Sequence, residues 1–382
     1  MSQRPRLTWH RWEGVYSADF SLEGVRRRTR QLGELLRNRG WSCLVAHDTR
    51  FMGVQFARYA FRVLEQHGVA VSFCPTPATP PMIELALERR RFDCALLFSA
   101  GNRPHWFNGM HALVPLAGEN PFDGQVQPLS EPTAPYFPPE PLPTSEATSV
   151  DLRTGYIETL RAQVDIDLIR RATLTLFVDP MNGATSGIVP TVLGEGTQTR
   201  AVEINREPDP LFNRQTPSPS EATMPRIRKL VKESDSHLGV GISADGRALG
   251  VTTNIGDLVP PLEIALLLGQ HLARQHRLRG LVVVPQPEVL PPGLAAWEAA
   301  TGQKIELAAD PAARIAEIVA QDRGGLVAGI TLAGEITIGR YSGSADAMVA
   351  ALLLIELVAQ NNAKLRTLTD ELRAKLQGTN PS

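Results

Sequence analysis

The sequence predicts an α/β protein built of three similar, consecutive domains. Three observations carry that reading. Short apolar runs of strand length alternate with stretches of helical period. A proline-rich break at residues 130–149 interrupts the alternation, which then restarts, and a third cycle begins near Val259. The composition is also that of a folded chain: of 382 residues, 43% are hydrophobic and 21% charged, enough for more than one core.

From Ser21 to Arg39 apolar residues recur at helical spacing, with Arg26, Arg27, Arg28 and Arg30 on the other face, a pattern expected of a solvated surface. CLVAHDTR is a short strand ending in polar residues. Met52 to His67 follows as a helix, VAVSFCPTP as a strand closed by prolines, Ile83 to Arg90 as a helix, and CALLFSAGN as a strand running into a polar loop. Apolar strands separated by helices imply a parallel sheet covered on both faces. The segment SEPTAPYFPPEPLPTSEATS is too rich in proline for helix or sheet and reads as an extended linker.

The second cycle runs through TLTLFVDPMNG, a short helix at Ile188 to Leu193, AVEIN, a helix from Met224 to Glu233, and HLGVGIS. The third contains a helix from Glu263 to Gln275, strand GLVVVPQ, helix Leu294 to Thr301, strand KIELA, helix Ala312 to Gln321, and strands near Leu326 and Ile336. It closes on a long amphipathic helix from Ala345 to Leu376. Its first half, AMVAALLLIELVAQNN, is apolar nearly all round, so it needs cover on both sides, either from its own domain or from a subunit interface.

The chain holds 39 basic and 40 acidic residues, a formal charge of −1, which argues against general nucleic-acid binding. Cys43, Cys74 and Cys94 form neither a disulfide framework nor a zinc motif, so a reducing cytoplasm is the expected home. MSQRPRLTWHRWEG has no apolar signal-peptide core, and the apolar stretch Ala347 to Ala359, broken by Glu356, is too short to span a bilayer.

The loops carry a resemblance. RWEGVYSADFSLEGVRRRTRQLGELL, AHDTR, CPTPATP, VDPMNG and EINREPDPLFNRQTPSPSEA occur in the order of the α-D-phosphohexomutases, the phosphoglucomutase and phosphomannomutase superfamily, from about Leu7 to Leu376. The resemblance implies mutase-type αβα-layered domains with mixed, mainly parallel sheets. Domain I would span residues 1–129, the proline-rich linker 130–150, domain II 151–254, and domain III with the C-terminal helix 255–382. It also implies phosphoryl transfer between two hydroxyls of a hexose phosphate, using a phosphoserine, Mg²⁺ and four enclosing domains. A hydroxyl must carry the phosphoryl group, and a carboxylate-held cation must offset its charge.

Against that pattern the reactive positions differ. Aligned on Asn108-Gly109, the phosphoserine position is Gly101, followed by Asn102 and Arg103, and the lysine position is His111. Ser99 would substitute only if two residues slipped, which Pro104 and Asn108-Gly109 oppose. Aligned on Leu249-Gly250, the metal loop holds Ser243, Asp245 and Arg247. Asp245 alone is a poor Mg²⁺ ligand set, Arg247 would place a fixed cation in the ion's space, and Asp245 is expected to be a solvated loop carboxylate. The sugar loop falls on Gly329 to Gly334, without its glutamates and serine. The arginine of the first-domain motif is Glu13, whose charge would repel a phosphate, and the fourth domain with its phosphate clamp has no counterpart.

The expected reading is a mutase-like pseudoenzyme without catalytic residues or metal ligands and with no cofactor, where the family would use Mg²⁺. It would act as a binding, scaffold or regulatory protein linked to carbohydrate metabolism. The alternative is a sugar-phosphate enzyme of intramolecular phosphotransferase type with an altered site. Trp9, Trp12, Arg103, Trp106 and Arg247 are the candidate cleft-binding residues, among His10, Asn102, His105, Phe107 and His111, since Trp and Arg dominate contact hot spots. Against this, Trp12 and Phe107 also fit a core and Trp106 a loop cap. His105 and His111 lack a third ligand at metal spacing. A homodimer, an active mutase or another carbohydrate-pathway protein is the expected partner and a sugar phosphate the expected ligand, with no nucleic acid or membrane.

Overall fold

The computed structural model describes residues 8–89, 91–115 and 149–378. The chain forms two compact units. In the first, the order is β1 (Thr8–Val15), α1 (Leu22–Arg39), β2 (Cys43–His47), α2 (Gly53–Gln66), β3 (Val71–Phe73), α3 (Pro80–Glu88), β4 (Cys94–Phe98) and β5 (Phe107–Val114). The sheet runs β1-β5-β4-β2-β3. β2 is parallel to β3 and β4, while β5 is antiparallel to β4 and β1. β2 and β4 are buried along their whole length, as expected of strands covered on both faces. Phe20, Leu32, Leu36, Val45, Phe56 and Leu96 belong to one core. Ser21 caps α1 by accepting from Gly24 N, and Gly40 ends it in the left-handed region at φ 64°.

The chain continues through α4 (Arg153–Gln163), α5 (Ile166–Arg171), β6 (Thr175–Asp179), α6 (Ile188–Leu193), β7 (Arg200–Glu203), α7 (Pro225–Glu233), β8 (Leu238–Ile242) and β9 (Leu249–Thr253). The second unit carries two sheets. One runs β7-β6-β8-β9, with only β9 antiparallel to its neighbour. The other is formed after α8 (Pro261–Arg274) by β10 (Leu281–Pro285), β11 (Lys304–Ala308), β12 (Leu326–Ile330) and β13 (Ile336–Thr337), in the order β11-β10-β12-β13. α9 (Leu294–Thr301) and α10 (Pro311–Asp322) connect these strands, and α11 (Ala347–Asn361) and α12 (Leu365–Leu376) follow. The architecture is therefore α/β with three mixed, mainly parallel sheets.

Several elements depart from the sequence expectation. The apolar runs gave the central strands, but β1, β5 and β9, which pair antiparallel, were not expected, nor were α4 and α5. Antiparallel strands can mix polar and apolar residues, so they lack the continuous apolar run of a buried parallel strand. The expected linker at 130–149 lies outside the described residues except for Ser149, which bridges to Phe73.

The long C-terminal helix is also corrected. It is two helices, α11 and α12, bent by 89°. Asn362 makes the break: it adopts the left-handed conformation at φ 46°, and its N–H returns to Ala359 O at 3.2 Å. The apolar period carries on through Leu365, Leu368 and Leu372, which hid the break. Asp346 caps α11, accepting from Met348 N at 3.0 Å, and every residue from Ala347 to Ala359 is buried. α11 packs on α5, α8, β8, β9 and β13, so its cover comes from within its own unit rather than from a subunit interface. No single described helix is long and apolar enough to cross a membrane.

Asn362 is exposed, so its substitution tests the turn without disturbing a core. Asn362→Val should lower unfolding stability by about 1–2 kcal/mol in urea titration, the cost of a branched side chain in the left-handed region, while Asn362→Gly should be nearly neutral.

Candidate functional site

In the first unit, the loop after β4 is fixed by one buried side chain. The guanidinium of Arg50, following β2, donates to Gly101 O and Arg103 O at 2.6 Å each, to Pro104 O at 2.9 Å and to Phe107 O at 3.2 Å. Its Nε lies 3.3 Å from Asp48 Oδ2, and both side chains are buried. Arginine suits this place because its planar fork offers five donors in fixed directions.

The loop held in this way offers backbone at its tip. Gly101 adopts φ 53°, a conformation that favours glycine. Ser99, the nearest hydroxyl in sequence, is buried, and its Oγ accepts from Gly101 N at 3.0 Å. Asn108 Nδ2 donates to Phe51 O at 2.8 Å. A Cβ at Gly109 would stand 2.3 Å from Ser99 O, so only glycine lets β5 approach this loop. The Asn102 Oδ1 is buried with no hydrogen-bond partner among the described residues.

The carboxylate of Glu13 is not left facing solvent. It accepts from His111 Nε2 at 2.7 Å and lies 3.4 Å from Arg103 Nε. Burial pushes the Glu13 carboxyl up, but the His111 hydrogen bond and the charges of Arg11 and Arg103 outweigh it, holding it below its usual value. Burial pushes His111 down, against the pull of Glu13. Glu13, His111 and Arg103 thus form one compensated cluster, and the expected repulsion of a phosphate by Glu13 is reduced by its two basic neighbours.

The expected gathering of tryptophans does not occur. Successive residues of a strand point to opposite faces, and Trp9 and Trp12 lie three apart on β1. Trp9 Nε1 donates to Glu84 on α3 at 2.7 Å and meets His111 edge-on. Trp12 stacks on Phe20 at 4.4 Å, with the Arg28 guanidinium 3.9 Å from its ring centre. Both tryptophans are therefore taken up in packing. Trp106 is 51% exposed and meets His105 edge-on at 4.9 Å. Arg103 is exposed, 5.4 Å from the Phe107 ring centre. Tyr16 and Phe51, which meet edge-on, are also exposed. Tyr16 N donates to Trp106 O at 2.8 Å, so an aromatic edge borders the glycine loop. Sequence reasoning missed Tyr16 and Phe51, although both stand beside the quoted loop motifs.

Arg247 belongs to the second unit. The loop between β8 and β9 closes on itself: Ser243 Oγ donates to Asp245 Oδ1 at 2.6 Å and accepts from Ala248 N at 2.9 Å and Arg247 N at 3.1 Å. Gly246 turns the chain at φ 74°. Asp245 is 3% exposed, so the expected solvated carboxylate is instead a buried one. The Arg247 guanidinium does not fill a cation position either, because it pairs with Glu335 at 3.3 Å. The segment Gly329 to Gly334 completes β12 and makes a tight turn, with Thr331 N donating to Glu335 O at 2.9 Å and Gly334 N to Thr331 O at 3.0 Å. Leu249 N donates to Gly334 O at 2.9 Å, tying this turn to the neighbouring loop.

The comparisons identify this arrangement of loops. Residues 11–121 match the profile of phosphoglucomutase/phosphomannomutase alpha/beta/alpha domain I, and residues 154–256 match that of domain II. The chain belongs to the phosphoglucomutase/phosphomannomutase family, within the α-D-phosphohexomutase superfamily.

A phosphoglucomutase/phosphomannomutase of Thermococcus kodakarensis is 25% identical over 63% of this chain and 54% of its own length. A phosphoglucosamine mutase of Limosilactobacillus reuteri is 24% identical over 94% of this chain and 79% of its own. The chain thus spans about half to four-fifths of these relatives. A phosphoglucomutase/phosphomannomutase family protein from Burkholderia thailandensis has the same fold, with a TM-score of 0.74 at 18% identity over 95% of this chain and 78% of that one.

The family's cation would fall on Ser243, Asp245 and Arg247, and these residues do not fit Mg²⁺. The one carboxylate oxygen in the loop that is bonded is engaged by Ser243 Oγ and by Arg247 N at 3.2 Å, which are donors where the ion needs oxygen lone pairs.

Two outcomes follow. Arg50→Ala leaves Asp48 and four carbonyls buried without the cation and should cost about 3–5 kcal/mol in chemical denaturation; Arg50→Lys should recover only a small part, since one ammonium cannot reach all four carbonyls. Second, unfolded His111 takes a proton near the ordinary imidazole value of 6.5 while the folded ring, with a lowered pKa, resists. Its contribution to stability is therefore full above that value and falls as pH drops. The depressed Glu13 loses its contribution at lower pH, below the ordinary carboxyl value of 4.5. Urea midpoints measured from pH 8 to pH 5 should fall, and His111→Gln should flatten the fall between pH 7 and pH 5.5.

Proposed function

We propose that this chain keeps the phosphohexomutase scaffold without its phosphoryl-transfer chemistry and acts as a binding, scaffold or regulatory protein in carbohydrate metabolism. The observation that carries the reading is the tip of the loop after β4. At the phosphoserine position stands Gly101 at φ 53°, and Ser99 is buried and hydrogen-bonded to the loop. A phosphoryl carrier needs an accessible hydroxyl oxygen, and this loop presents none. The donor-filled loop at Ser243–Arg247 supports the same reading, because no carboxylate cage offsets phosphate charge there.

A scaffold of this kind can still bind. The basic side chain of Arg103, the exposed rings of Trp106, Tyr16 and Phe51, and the buried unpaired Asn102 oxygen border the glycine loop. Aromatic rings and arginine are suited to a sugar phosphate or to a partner surface, either an active mutase or another carbohydrate-pathway protein. Self-association belongs to the same proposal.

The test is a coupled assay with glucose and mannose phosphates, Mg²⁺ and a hexose bisphosphate, joined to calorimetry with the same sugars. The expected result is no turnover above a no-protein control, no recovery in Gly101→Ser, and no Mg²⁺-dependent shift of Tm. Turnover that persists through repurification and is lost in Ser99→Ala would overturn the proposal and establish the altered-enzyme alternative.

A further inference from the structure

One cluster of chemistry in the second unit lies outside the inherited loops. Glu356 sits at the middle of α11, a charged group within an otherwise apolar buried run. Its Oε2 is 3.3 Å from His271 Nε2, on α8, and 3.2 Å from His276 Nε2, just past the end of α8. All three ligand atoms lie within 4.8 Å of one another, and among the described residues no other group of three His, Cys, Asp or Glu does this.

We propose that His271, His276 and Glu356 form a binding site for a divalent transition-metal ion, zinc being the best fit.

Four features of the site support the assignment. First, the spacing is that of ligands. Zinc takes imidazole nitrogen and carboxylate oxygen at about 2.0–2.2 Å, and two such ligands on a tetrahedron stand about 3.3–3.4 Å apart. The two Oε2–Nε2 separations match that edge, and the His276 contact also lies within hydrogen-bond range. Second, His271 is 3% exposed, and its Nε2 has no hydrogen-bond partner among the described residues. A buried nitrogen facing a carboxylate at this distance without a bond is accounted for by an ion between them.

Third, the groups behind the ligands are already in place. Tyr341 Oη lies 2.7 Å from His276 Nδ1, so with Nε2 on the metal the Nδ1–H donates to the phenol oxygen and fixes the ring. Asp165 N donates to Glu356 Oε1 at 3.1 Å, leaving Oε2 for the ion. Fourth, His271 borders a cavity of about 150 Å³ lined also by Gln270, Arg274 and Asn361, which brings solvent to one ligand ring. Three protein ligands leave a fourth position for water. The ion would pin α11 to α8.

The full-length chain, without an affinity tag and stripped with a chelator, is titrated with Zn²⁺ by calorimetry and with Co²⁺ by visible absorption. The expected result is one equivalent bound, intense Co²⁺ bands of a four-coordinate site, and a rise in Tm. Tyr341→Phe, which keeps all three ligands, should weaken binding about 10- to 100-fold. Glu356→Gln and His276→Gln should abolish it. Because those two changes strike a buried cluster, the Co²⁺ spectrum of the unaltered chain provides an independent reading. Only weak octahedral bands, no bound zinc, or zinc bound equally well by folded Glu356→Gln would overturn the proposal. None of these results bears on whether the glycine loop transfers phosphate.

Discussion

The Arg50 guanidinium sets the first unit's loop geometry. A buried cation must be compensated on every donor, and here one carboxylate and four carbonyls do so. Those carbonyls belong to residues 101, 103, 104 and 107, so a single side chain fixes the path of the whole loop without help from any side chain at its tip. That separation explains how the loop can keep its shape with glycine at position 101. The scaffold's anchor is Arg50, and position 101 contributes to the anchoring through its backbone carbonyl alone.

The second unit solves the same problem from inside the loop. The loop between β8 and β9 must satisfy a turn of buried N–H groups. Ser243 does this with one hydroxyl: it donates to Asp245 and accepts from two backbone amides. The Arg247 side chain turns instead to Glu335 beside the neighbouring hairpin, and Ala347 N at the start of α11 donates to Gly246 O at 2.9 Å. The loop is thereby joined to β13 and α11. The engaged Asp245 oxygen thus serves the loop's own fold.

The sequence made the buried parallel strands and the helices between them legible, because continuous apolar runs and helical period leave a local trace. It was silent on β1, β5 and β9. β1 is stabilised by pairing with a partner distant in the chain, as Glu13 with Gly109, and all three strands mix polar and apolar residues. The motif loops could be aligned by their Gly, Pro and Asn anchors, which led to Gly101 and Ser243. Contacts could not be aligned. Nothing local shows that Asp245 is buried, which depends on what remote segments bring alongside. The opposite facing of Trp9 and Trp12 and the break at Asn362 are local, and needed β1 and the left-handed turn to be recognised first.

Glu356 shows the limit from the other direction. In sequence it reads as an interruption of an apolar helix, and its charge argued only against a membrane span. A lone buried carboxylate in that helix would be costly, since desolvating an ion costs several kcal/mol even after relaxation. The structure supplies the compensation from residues 85 and 80 positions away, His271 on α8, which packs along α11, and His276 just beyond it. The two imidazoles and the carboxylate approach at a spacing that also suits metal ligands. A cation between them would convert three costly buried groups into one coordinated centre, and it would do so at the helix on which the second unit's packing converges.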